Sequence, residues 1–187
     1  LLGQAGDDII NGAAGNDTLS GGSGDDMLTG GAGADNIDGG SGIDTVSYAG
    51  SASGVTASLA GTVGVGGDAA GDVITNAEIL EGSAFADTLS GRAGVDTLNG
   101  GGGNDILMGS AGADIFDGGA GTDTVDYSAS SAGILINLAT GTGNSGGDAQ
   151  GDVFVVGSIE NAVGSAYDDT IYGTSGVNYL YGGAGND

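Results

Sequence analysis

Aspartate recurs at every ninth residue early in the chain, at Asp8, Asp17, Asp26, Asp35 and Asp44. The same interval returns at Asp87, Asp96, Asp105, Asp114 and Asp123, and again between Asp169 and Asp187, where Asn178 stands midway. Most of these aspartates lie two residues after a glycine and two before a large apolar residue. An ionised carboxylate only accepts hydrogen bonds, and glycine-rich turns leave main-chain carbonyls free to point inward. Carboxylate and carbonyl together are the hard oxygen donors that Ca²⁺ takes in groups of about six to eight, at roughly 2.3–2.6 Å. The twelve aspartates are therefore candidate calcium ligands rather than a merely solvated acidic face. Competing chemistries have little support. Without His or Cys there is no Ser- or Cys-based triad. Paired carboxylates can hydrolyse glycosides, but here they form a regular array with no evident cleft, so no enzyme is expected.

The elements that would position these oxygens are short. The first block reads GQAGDDIIN, GAAGNDTLS, GGSGDDMLT, GGAGADNID and GGSGIDTVS, from Gly3 to Ser47. Positions one to four form a tight turn, position six supplies the carboxylate, and positions seven to nine form a strand. Strand side chains alternate between faces, so the eighth-position residues Ile10, Leu19, Leu28, Ile37 and Val46 point inward. One unit can neither surround an ion nor bury its aliphatic. A stack does both, because neighbouring turns share ions and aliphatics align in a strip.

These units resemble the repeats-in-toxin (RTX) family of haemolysin-type calcium-binding repeats, whose nonapeptide is G-G-x-G-x-D-x-U-x. The resemblance implies an all-β fold, a right-handed parallel β-roll. In it two nonapeptides make one coil, and Ca²⁺ lies between turns of repeats two apart. It also implies export in an unfolded state and folding in extracellular calcium, which places the protein outside the bacterium or on its surface.

Two stretches interrupt the repeat. The block over 1–47 gives way to an insert at 48–81. A second block covers 82–126, a second insert 127–163, and closing repeats 164–187. The inserts are copies of one another. Each opens on Tyr (Tyr48, Tyr127) and carries Gly-Gly-Asp-x-x-Gly-Asp-Val at Gly66–Val73 and Gly146–Val153. Each closes on an acidic strand containing Glu78 or Glu160. Insert length matches two 18-residue coils, so each insert is expected to carry one continuous solenoid through, with a lateral excursion as the alternative. The chain starts and stops inside a repeat and is read as a segment of a longer protein.

Composition narrows the partners. A formal charge of −24, with Arg92 the only strong base, argues against nucleic acid and anionic lipid, which both need clustered Lys and Arg. No apolar run of about 18 residues suggests membrane insertion. The 45 glycines come without proline, at a period that is not collagen's three. One aliphatic per nine residues is too little burial to offset ordering a glycine-rich backbone. Stacked aspartates also repel one another, so cations have to hold the roll together. Counting turn pairs two units apart gives at least about seven Ca²⁺. Phe85 and Tyr167 replace the fourth-position glycine, and Asn178 a sixth-position aspartate; those turns should bind most weakly.

Other residues invite weaker readings. Asp68 with Asp72, and Asp148 with Asp152, form either a further metal site or local turn bonds. Asp7, Asp25 and Asp168 read as solvated charge, and Glu78 and Glu160 as sheet-edge residues. Tyr172, Tyr179 and Tyr181 face outward and could stack on sugar rings. The sequence thus reads as a calcium-dependent structural segment of a large secreted or cell-surface bacterial protein. Rival readings are an adhesin-like module that binds polysaccharide, a self-associating unit of a filament or surface layer, and a non-catalytic part of a polysaccharide-modifying enzyme.

Overall fold

A computed structural model describes all residues, 1–187. It is nearly all-β, with two short 3-10 turns at Gly67–Ala69 and Gly147–Ala149. Every pairing between named strands is parallel. Within a repeat block each ladder step is 18 residues, as in Leu19 opposite Ile37, Ile10 opposite Leu28 and Leu89 opposite Leu107. Two nonapeptides therefore complete one coil, and successive units fall on opposite faces. The protein is a parallel β-roll.

The eighth-position residues build the interior. Leu19, Leu28, Val46, Leu89, Leu98, Leu107, Phe116 and Val125 are fully buried, within one continuous core of 26 residues. Three long sheets carry that core. The first runs Leu2–Ala5, Thr18–Ser23, Asn36–Ser41, Val73–Thr75. The second has seven strands, from Ile9–Asn11 to Val153–Phe154. The third has six, from Thr56–Ser58 to Leu180–Tyr181. A short fourth sheet pairs Leu135–Asn137 with Thr170–Tyr172.

The inserts depart from the expectation of two coils each. Val46 lies directly opposite Leu80, and Ile37 directly opposite Ile74. Likewise Phe116 faces Phe154, and Val125 faces Ala162. Each insert therefore advances every existing sheet by one step and forms one enlarged coil. The alternating runs Val55–Leu59 and Ile134–Leu138 do not extend an old sheet. They start a new one, the third sheet at Thr56–Ser58 and the fourth at Leu135–Asn137. The first sheet ends at the first insert and the second sheet at the second, so the roll exchanges one face for another at each joint. The widened coil needs larger side chains to fill it. Tyr48 and Tyr127 lie buried there, and the Phe116 ring packs edge-on to Tyr127 at 6.3 Å and against Phe154 at 5.6 Å.

Candidate metal centre

Stacking at 18-residue intervals brings the sixth-position carboxylates into rows. In each block, the aspartates after the first coil accept at Oδ1 the main-chain N–H of the aspartate one coil earlier. Asp8 donates to Asp26, Asp26 to Asp44, Asp17 to Asp35, Asp87 to Asp105 and Asp105 to Asp123, all at 2.8 Å. The Asp96–Asp114 and Asp169–Asp187 steps measure 3.0 Å. These bonds fix the carboxylate rotation and aim Oδ2 into the turn. At Asp8, Asp17, Asp26, Asp35, Asp44, Asp105 and Asp123 that Oδ2 is buried and meets no donor. A buried anionic oxygen without a partner is strongly unfavourable, so these seven oxygens call for a cation.

The first-position glycines complete the cradle. A Cβ on Gly3 would fall 2.5 Å from both Asp8 Oδ2 and the Gly21 carbonyl of the next coil. Gly12, Gly21 and Gly100 stand in the same relation to Asp17, Asp26 and Asp105 and to the carbonyls of Gly30, Gly39 and Gly118. Carboxylate and carbonyl oxygens from successive coils thus converge on a space that only glycine leaves open. Nowhere do three acidic side chains meet, so main-chain carbonyls have to complete any coordination shell. This donor set of hard oxygens, with neither nitrogen nor sulfur, suits Ca²⁺.

Not every candidate aspartate has an orphan oxygen. Asp87 and Asp169 are saturated by their own turns, through the N–H and hydroxyl of Ser83 and Ser165. Asp114 Oδ2 accepts the Ser110 N–H at 3.3 Å. Asp96 differs: its Oδ2 accepts the Arg92 N–H, while its Oδ1 is buried without a hydrogen-bond donor and faces the Arg92 guanidinium, 3.5 Å from Nε. Asp187 is exposed on the last turn.

Four insert residues join the rows. Asp72 and Asp152 accept the N–H groups of Asp35 and Asp114 at 2.8 Å, just as a sixth-position aspartate would. Their Oδ2 atoms accept the hydroxyls of the buried Tyr48 and Tyr127. These bonds reach distant residues rather than their own turn, so the local-turn alternative fails for Asp72 and Asp152, and each forms a row end sealed by tyrosine. Asp68 and Asp148 lie apart on the 3-10 turns, with their N–H groups on Ser51 and Ser130 hydroxyls. Glu78 and Glu160 are row members rather than sheet-edge residues, accepting the N–H groups of Asp44 and Asp123. A signal for all four was present: Asp72-Val-Ile, Asp152-Val-Phe, Glu78-Ile-Leu and Glu160-Asn-Ala each put an acid two residues before a buried apolar residue. The glycine frame was missing, and that concealed it. The exposed fifth-position acids also have a structural role, since Asp7, Asp25 and Asp168 accept N–H groups one coil on.

The tyrosine seal gives a direct expectation. Tyr127→Phe leaves the buried Asp152 carboxylate without its hydroxyl donor, at a cost of about 1–3 kcal/mol. Thermal unfolding in saturating calcium should show the loss, and an unchanged midpoint would refute the seal.

The outward tyrosines do not form one surface. Tyr181 lies on the third sheet and Tyr172 on the fourth. The row carboxyls are electrostatically strained. Burial raises Asp44, Asp96 and Asp123 above the ordinary carboxylate range, and Asp105 and Asp114 to about 6. Neighbouring carboxylates push the same way, with only main-chain N–H groups and, at Asp96, Arg92 opposing them.

No curated protein matches the chain. The family model described as RTX calcium-binding nonapeptide repeat matches residues 1–19, 12–46, 75–107, 100–129 and 156–187, passing over only the interiors of the two inserts. A parallel roll with a two-unit coil, glycine cradles and stacked aspartate oxygens is what such repeats require, and the chain belongs to the RTX calcium-binding nonapeptide repeat family.

Proposed function

We propose that this chain is a calcium-set structural segment of a large secreted or cell-surface protein, exported unfolded and folded by extracellular calcium. The sixth-position aspartates of the turns with orphan oxygens are its ligands. The observation that carries this reading is the seven buried Oδ2 atoms that no protein group satisfies. In a chain of net charge −24 with a single strong base, those rows oppose folding until cations bridge them. Calcium near 1 mM, binding with extracellular-type affinities of about 10⁻⁴–10⁻³ M, adds roughly 0.4–1.4 kcal/mol per site. Several sites together shift a marginal fold, and at cytosolic calcium the same contribution is near zero. The chain would therefore stay extended during export and set into a rigid acidic spacer outside.

Far-ultraviolet circular dichroism tests the reading. Coil is expected in chelator and β structure in millimolar calcium, with magnesium a poor substitute. Full β structure retained in chelator at neutral pH would sink it.

A further inference from the structure

The nonapeptide turns take two conformations, and the residue at position two sorts them. Gln4, Ala13, Gly22, Gly31, Gly40, Gly101, Gly119 and Gly183 have φ between 75° and 112°, in the left-handed region. Ser83, Arg92, Ser110, Ser165 and Thr174 stay out of it. In this second class the position-two N–H turns inward and donates to the sixth-position side chain of its own turn. The bonds are Ser83 to Asp87, Arg92 to Asp96 and Ser165 to Asp169 at 2.6 Å, Thr174 to Asn178 Oδ1 at 2.8 Å, and Ser110 to Asp114 at 3.3 Å. None of the first class makes this bond, and its members include all seven turns with an orphan Oδ2.

The peptide between positions one and two presents either a carbonyl or an N–H to the interior. An inward carbonyl adds an oxygen to a cation seat. An inward N–H occupies the carboxylate and points a partial positive charge at the place where an ion would sit. What enters each cradle follows the next coil's turn. The Gly21, Gly39, Gly100 and Gly182 carbonyls, all from open turns, reach the cradles at Gly3, Gly21, Gly82 and Gly164. At Gly91, whose next turn is closed, the nearest atoms all belong to Asp96, and at Gly109 the Phe116 ring has moved in.

Arg92 goes further than its N–H. Its guanidinium donates to Glu78 Oε1 and, through Nε, to the Ala77 carbonyl at 3.0 Å, with Asp96 Oδ1 at 3.5 Å. A carbonyl and two carboxylates from successive coils thus surround a fixed cation. At the matching place after the second insert, 18 residues past Glu160, Asn178 supplies its own amide donor to the Glu160 carbonyl and the Thr174 hydroxyl.

We propose that position two decides which turns take calcium: turns closed by their own N–H take none, and Arg92 stands in the cation's place between Glu78 and Asp96. The row Asp8, Asp26, Asp44 is metal-bound, and its continuation through Asp96 and Asp114 is held by the chain's own N–H groups and by the Arg92 charge, which faces the Asp96 Oδ1 that no donor reaches. Both turns are open only for the pairs Asp8–Asp26, Asp26–Asp44, Asp17–Asp35 and Asp105–Asp123, so these are the full seats, fewer than the seven that spacing alone gives. The joints after each insert are then the parts of the roll that need no metal.

The proposal rests on the calcium reading above, and its test separates the two. Bound ions are counted by equilibrium dialysis on the whole chain, with β structure followed by circular dichroism. Asp96→Asn and Asp114→Asn, singly and together, should leave the count unchanged, because Asn178 already sits in a closed turn. Asp105→Asn should lose at least one ion. Equal losses in the two sets overturn the assignment of turns, while a wild-type chain that binds no calcium sinks both readings. As a gain-of-site check, Arg92→Gly with Ser110→Gly opens both turns and should add an ion, and a count no higher than wild type also overturns the rule.

Discussion

Gly21→Ala should cost the chain at least one bound calcium and raise the calcium concentration at the folding midpoint by about tenfold. The reason is local. Gly21 has no positive φ, so alanine fits the backbone and conformational strain is not at issue. The new methyl, however, falls on top of Asp26 Oδ2 and within 2.5 Å of the Gly39 carbonyl. Neither oxygen can retreat freely, because Asp26 Oδ1 is tied to the Asp8 N–H and the Gly39 carbonyl belongs to the next coil's turn. The variant therefore removes two oxygens from a seat that needs about six without removing a charge. Gly50→Ala is the control, since a Cβ there meets nothing within 4 Å and φ is ordinary. Calcium titrations followed by circular dichroism should separate the two variants clearly. Coincident curves would mean that the first-position glycines serve the turn's backbone and not a cation seat.

The repeat blocks were legible because every level of their sequence agrees. Glycine spacing sets the turn, Asp at six sets the row, and the aliphatic at eight sets the face. Leu28, Leu98 and Leu107 are buried where the period puts them. The inserts were less legible for a physical reason. Strand partners are chosen by register along the roll, and neither Val46–Leu80 nor Ile37–Ile74 has the 18-residue separation that marks a coil elsewhere. Length alone cannot distinguish two ordinary coils from one enlarged coil that starts a new sheet. The acids at Asp72 and Glu78 lacked the glycine frame, and their row contacts come from tertiary pairing instead. Within the turns, the sequence marked Phe85, Tyr167 and Asn178 as departures, and all three turns are closed. It passed over Arg92 and Ser110, because the fourth-position glycine and sixth-position aspartate of those units are intact. The closure there is set at position two, through a peptide orientation that residue spacing does not encode.

Acid should substitute in part for calcium. At neutral pH the metal-free chain is expected to be coil, and lowering it to about pH 5 should restore part of the β signal with no metal added. The sign follows from the buried carboxyls. Asp105 and Asp114 are raised from 3.8 to about 6 and Asp152 to about 7, in each case chiefly by burial. The folded chain therefore binds these protons more tightly than the unfolded chain does. The resulting stability is fully present below the unfolded value near 3.8, and it is lost as pH rises through 6 and 7. At Asp152 the Tyr127 hydroxyl and the Asp114 N–H pull the other way, without overcoming burial. Protonation also removes the like-charge repulsion along each row, as a bridging cation would, but a proton satisfies one oxygen and links no carbonyls. The rescued state should accordingly be less stable to heat than the calcium form. Protein freed of calcium by exhaustive dialysis suits the experiment better than a carboxylate chelator, whose own affinity collapses in acid. Repeating it with calcium present should give the opposite trend, since protons compete for the same oxygens and the calcium midpoint should rise as pH falls. A metal-free chain equally unfolded at about pH 5 and pH 8 would mean that repulsion between rows is not what keeps it open.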